Sequence, residues 1–181
     1  MTNTGKNSLM QSVRPVADPI LATIKRDVEA KLPPTLKDGY DRIIVAGLKI
    51  MFSPETHAMA LRALQEAIQR RDISSGVALS TVTLIGMVYK ASQGKMSIAA
   101  AFPAAIVLMC YVFEFLEGAQ KITITPPLVA KTTSAVTQGV LKLFGITQQQ
   151  FAQGIEESRK QASAPVSPSS PVPPSVPAGG A

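Results

Sequence analysis

Tryptophan is absent from this chain, and cysteine and histidine occur once each, as Cys110 and His57. A single cysteine excludes an internal disulfide and a cysteine-based zinc site, so nothing in the sequence asks for an oxidising compartment. A single histidine leaves little material for a clustered metal site or for paired acid–base chemistry. Charge is scarce too. Asp, Glu, Lys and Arg make up 17% of the residues, against the roughly 25% usual in soluble domains. The chain is 46% apolar and its mean hydropathy is +0.20, so apolar residues must be concentrated somewhere.

The candidate chemical residues each have a plainer reading. His57 falls on a helical stripe with Leu61, Leu64 and Ile68, the place of a hydrogen-bonded core-edge histidine. Cys110 sits inside an apolar run with no base near it in sequence and reads as a small hydrophobe. Glu114 and Glu117 are the only acids between Asp72 and Glu156 and read as a solvated helix end. Gly76, Gly86 and Gly94 are isolated and form no phosphate loop. The expectation is a non-enzymatic protein with no catalytic residue, no cofactor and no metal.

The net charge of +6 permits attraction to anionic lipid or nucleic acid. The basic residues never run longer than two and are interrupted by acids. That pattern describes solvated helix faces, and nucleic acid is not an expected partner.

Along the chain, residues 1–17 are polar and aperiodic and read as a flexible leader, with no apolar stretch of secretory-signal length. Residues 18–72 read as amphipathic helices. Asp18-Pro19 starts the first, carrying Ile20, Ile24 and Val28, and Pro33-Pro34 ends it. Thr35 is the expected cap of a second, and Ser53-Pro54-Glu55 starts a third. After residue 119, Thr125-Pro126-Pro127 opens another helix, with Gly145 as its left-handed C-cap, and Thr147 opens a last one with Phe151 and Ile155. Residues 162–181, Pro-, Ser-, Ala- and Gly-rich without charge, read as a disordered tail able to tether a protein partner.

Between Asp72 and Lys90 lie 17 uncharged residues, and between Lys95 and Glu114 lie 18. As helices these are about 25 and 27 Å long, near the lower bound for a hydrocarbon core of about 30 Å. The short polar KASQGK between them forces an antiparallel hairpin over residues 73–118. Two readings follow. The hairpin spans a bilayer and associates through small residues at Gly76, Ser80, Ser97, Ala101 and Ala105. Alternatively, it is the centre of a soluble all-α bundle, apolar all round because it is covered all round. The hydroxyls of Ser74, Ser75, Ser80, Thr81 and Thr83 suit the second.

The two-helix hairpin with small-residue faces and a flexible tail resembles phage holins of the two-span kind over residues 70 to 120, in architecture alone. It departs from that pattern in its long helical N-terminal region and uncharged C-terminus. The resemblance implies a small self-associating protein that perturbs or permeabilises a bacterial inner membrane, in contact with lipid. The excess of Arg and Lys outside the hairpin loop would place both ends in the cytoplasm. The rival expectation is a cytoplasmic or virion-associated structural or assembly protein that buries the hairpin in its own core.

Overall fold

The structure, a computed structural model, describes residues 18–120 and 122–154, without the side chains at 57–61, 63 and 120. The expected leader, the proline-rich tail, the Ile155 anchor and the His57–Leu61 part of the third stripe lie outside that description. The described residues are all-α. Six helices follow in order: α1 (Pro19–Ala30), α2 (Pro34–Met51), α3 (Pro54–Gln69), α4 (Ile73–Ala91), α5 (Ile98–Gln120) and α6 (Pro126–Leu143). Residues 148–154 are helical and belong to a separate unit that begins at Gln148.

The starts are chemically marked. Asp18 accepts the Ile20 amide at 2.8 Å, and Ser53, Asp72, Ser97 and Thr125 accept the amides of Thr56, Ser75, Ala100 and Leu128. Each answers one of the amides that a helix N-terminus leaves without a partner. Helix α2 departs from the expected Thr35 cap. It begins two residues earlier than that cap implies, at Pro34, with Pro33 in the cap position and no side-chain bond. Proline at the first helical position brings its own fixed φ and has no amide to satisfy. At the other end of the body, Gly145 adopts φ +66°, the left-handed cap that the sequence anticipates.

The helices form two layers. In one, α5 lies between α1 and α2; in the other, α4 lies between α3 and α6. The layers meet through α4 against α5, α2 against α4, and α5 against α6. The turn over 92–97 makes α4 and α5 an antiparallel hairpin. Side-chain contacts give the remaining directions. Gly39 lies by Ala100 and Gly47 by Leu108, so α2 runs parallel to α5. Ser74 meets Thr132, Gly139 meets Val82 and Tyr89 meets Phe144, so α6 runs parallel to α4.

Three of these crossings are close enough to require glycine. A Cβ at Gly47 would stand 2.7 Å from Leu108 Cδ1, one at Gly139 would stand 2.5 Å from Val82 Cγ2, and one at Gly76 would stand 2.3 Å from Ala67 Cβ. They pin α2 to α5, α6 to α4 and α3 to α4. The core between the layers holds Val77, Ile85, Leu108, Phe113, Leu116 and Val136, none more than 1% exposed. Each such side chain contributes about 1.5–3 kcal/mol by leaving water.

Gly47→Ala is expected to lower stability by about 1–3 kcal/mol, because Leu108 is itself fully buried and has nowhere to move. Gly118→Ala, within α5 but with nothing within 4 Å, should be neutral or raise stability by up to about 1 kcal/mol through helix propensity. Urea unfolding of the two variants checks the pair.

Candidate functional site: the apolar hairpin and its cover

The site to be explained is the hairpin. Helices α4 (Ile73–Ala91) and α5 up to Ala119 are both long and apolar enough to cross a membrane by length and composition. In the bundle they are not equally enclosed: 56% of the α5 span is buried and 39% of the α4 span. Helix α5 is touched by α1, α2, α4 and α6, and from Ala104 to Leu116 only Ile106, Tyr111, Glu114 and Phe115 are not fully buried. Helix α4 keeps an outward stripe, Ser75, Leu79 and Thr83, open to solvent. Leu79 is 67% exposed.

The five small residues singled out from the sequence have separate places. Ala101 and Ala105 are buried in α5. Ser97 is exposed and caps α5 by accepting the Ala100 amide at 3.3 Å. Ser80 lines a cavity of about 190 Å3 with Met51, Leu64, Leu84, Met87 and Val112. Gly76 meets α3, through Ala67, and not α5. Ala101 and Ala105 thus share the α5 core face, while Gly76 serves the α3 crossing.

The three buried hydroxyls, on Ser74, Thr81 and Thr132, all have hydrogen-bond partners. Thr81 donates to the Val77 carbonyl at 2.8 Å, and Thr132 donates to the Leu128 carbonyl at 2.8 Å. The Ser74 and Thr132 oxygens lie 3.1 Å apart across the α4–α6 contact. Such i−4 bonding lets a threonine sit inside a buried helix without an orphaned donor.

One polar cluster escaped the sequence reading. Glu114 is not at a solvated helix end. It accepts a hydrogen bond from Lys25 Nζ of α1 at 2.5 Å, and the two side chains are only 22% and 20% exposed. Lys25 also stands 4.5 Å from the centre of the Tyr111 ring. Sequence signals for the pairing were faint: 89 positions separate the partners. An acid placed one residue after an 18-residue uncharged run was the available clue. Close by, the Tyr40 hydroxyl is buried with no hydrogen-bond partner among the described residues. Burial first, then the Glu29 carboxylate, hold this phenol well above the ordinary tyrosine range. Burial also pushes the Cys110 thiol up to about 12, with Lys25 opposing and Glu114 adding to the rise.

Chemically the arrangement favours packing over reaction. Cys110 is fully buried and protonated at neutral pH, and a thiol in that state is a poor nucleophile. The charged pair fastens α1 across α5, and its value is that neither charge is left alone in a dry setting. No family model, no curated protein and no solved structure matches this chain.

Glu114→Ala should cost about 1–3 kcal/mol, between the values for exposed and buried pairs, because Lys25 loses its partner in a largely enclosed position. The double variant Lys25→Met, Glu114→Leu should recover most of it, as read from a denaturation cycle. Tyr40→Phe should be neutral or stabilising by about 1 kcal/mol, since it removes an unbonded buried hydroxyl. Cys110 should stay unreactive toward a thiol reagent in the native protein and react once denaturant is added.

Proposed function

We propose that this chain is a non-enzymatic helical structural or assembly protein that keeps its apolar hairpin as the core of its own bundle. The enclosure of α5 by four helices supports this reading most directly. The cover helices carry charge on their outer faces, as in the Lys37–Asp41 and Asp38–Arg42 pairs of α2. Such faces suit water and are costly in hydrocarbon. The Lys25–Glu114 tie supports the same reading, because drawing α5 into lipid would break it.

The rival is a self-associating, holin-like protein of a bacterial inner membrane with both ends in the cytoplasm. Its support is the length and apolarity of Ile73–Ala91 and Ile98–Ala119. It requires α1 and α2 to release α5, exposing Leu108, Met109, Cys110 and Phe113 to acyl chains.

Fractionation of expressing cells, with carbonate extraction of the membranes, tests the choice. The expected result is protein in the soluble fraction that elutes as one species without detergent. Retention in the carbonate-extracted pellet would overturn the proposal in favour of the integral hairpin.

A further inference from the structure

The two layers differ in charge. Residues 19–51 and 98–120, which supply α1, α2 and α5, hold six basic and six acidic side chains. Residues 54–97 and 126–143, which supply α3, α4, α6 and the hairpin turn, hold seven basic and three acidic. The α3–α4–α6 layer therefore carries a net charge of +4, seven basic against three acidic side chains, while the α1–α5–α2 layer is neutral.

On that face the middle helix is uncharged from Ile73 to Tyr89. Its row toward α3 includes Gly76, against Ala67, and its row toward α6 includes Val82 and Gly86, against Gly139 and Leu143. Ser75, Leu79 and Thr83 run outward between the two rows. Leu143 of α6, 38% exposed, lies over Gly86 and extends the apolar strip sideways. Cations stand at both ends. Arg70, Arg71 and Lys131 are exposed near the start of α4, where Arg70 lies 3.8 Å from Glu66 and Lys131 3.9 Å from Asp72. Lys90, Lys95 and Lys142 are exposed near its end, with no acidic partner within 4 Å among the described residues.

We infer that the α3–α4–α6 face is a docking surface for an anionic lipid membrane, on which the folded bundle lies with α4 parallel to the plane. Lysines and arginines reach phosphate headgroups, while Leu79 and Leu143 enter the boundary between headgroups and acyl chains. An uncharged strip about 25 Å long, framed by cations, fits that layered chemistry. It fits nucleic acid less well, because the strip has no charge to track a backbone. The ring of Tyr89 is also already engaged edge-on by Phe144, 5.2 Å away. The neutral layer serves as an internal control: Val45 is as exposed as Leu79, at 66%, but its neighbours on the α2 surface are of mixed sign, Asp41 and Arg42 being tied in ion pairs and Lys49 lying one turn on.

The inference concerns the intact bundle and so rests on the water-soluble reading proposed above. The absence of tryptophan makes the test direct. Purified Leu79→Trp and Val45→Trp variants are mixed with phosphatidylglycerol–phosphatidylcholine vesicles and with pure phosphatidylcholine vesicles. Expected are co-sedimentation with the anionic vesicles alone, release at high salt, and a blue shift at position 79 but not at 45. The variant Arg70→Glu, Lys90→Glu, Lys142→Glu should weaken partitioning at least about a hundredfold, at about fivefold per cation removed, while its circular dichroism and elution stay unchanged. Indifference to anionic vesicles, or an equal shift at Val45→Trp, overturns the docking surface and leaves the soluble bundle standing. Binding that survives high salt overturns both. Tighter binding to duplex or single-stranded nucleic acid, insensitive to Leu79→Asp, would reassign the face.

Discussion

Two neighbouring helices without a charge for 17 and 18 residues impose the constraint on which the rest of this molecule depends. Neither can be left in water, and a two-helix hairpin offers each only one partner. The four remaining helices of the body answer that need. They give α5 neighbours on four sides and α4 neighbours on four sides, with a single outward stripe left open. Local chemistry assists: five of the six helices carry a side-chain cap, and the sixth opens on proline. Each cap contributes about 1 kcal/mol, whereas burial of α5 alone removes eleven apolar side chains from water.

Packing this apolar would be tolerant of sliding if it rested on size alone. Registration comes from places where only one arrangement fits. The glycines at 47, 76 and 139 let neighbouring backbones approach within the space of a missing Cβ. Across α1 and α5, the Lys25–Glu114 pair adds a polar contact with a single solution. Apolar volume supplies the free energy and these few points supply the geometry, a division in keeping with close-packed interiors.

The hairpin also separates the molecule into unlike faces. The α1–α5–α2 layer is balanced in charge and rich in i,i+4 ion pairs. The α3–α4–α6 layer is cationic and shows its uncharged middle helix to solvent. This asymmetry connects the two readings of the hairpin. Apolarity sufficient in length and composition for a bilayer serves in α5 as a core, and in α4 is left partly exposed. The Cys110 thiol and the Tyr40 phenol, both buried beside the ion pair, belong to the enclosed side and take part in packing.

Much of the body was legible in the sequence. Asp18-Pro19, Ser53-Pro54, Thr125-Pro126 and Gly145 mark helix ends through chemistry confined to a few consecutive residues, and the polar turn after Lys90 dictates an antiparallel hairpin. The all-α class follows from these signals. The Thr35 cap lies two residues after the true start of α2, because Thr35 and Pro34 offer competing starts and proline's fixed φ prevailed. The site was less legible. Gly76 looked like a surface for α5 but lies against α3, and Glu114 looked solvated but meets a lysine 89 positions earlier. Periodicity states which side of a helix is apolar, not which helix will cover it. By itself, then, the sequence determined the helices, their ends and the existence of an apolar hairpin, because those depend on neighbours in the chain. Only the tertiary structure decided that α5 is enclosed, that α4 shows a stripe, and that the net positive charge falls to the α3–α4–α6 layer, because burial and charge proximity depend on distances between residues far apart in sequence.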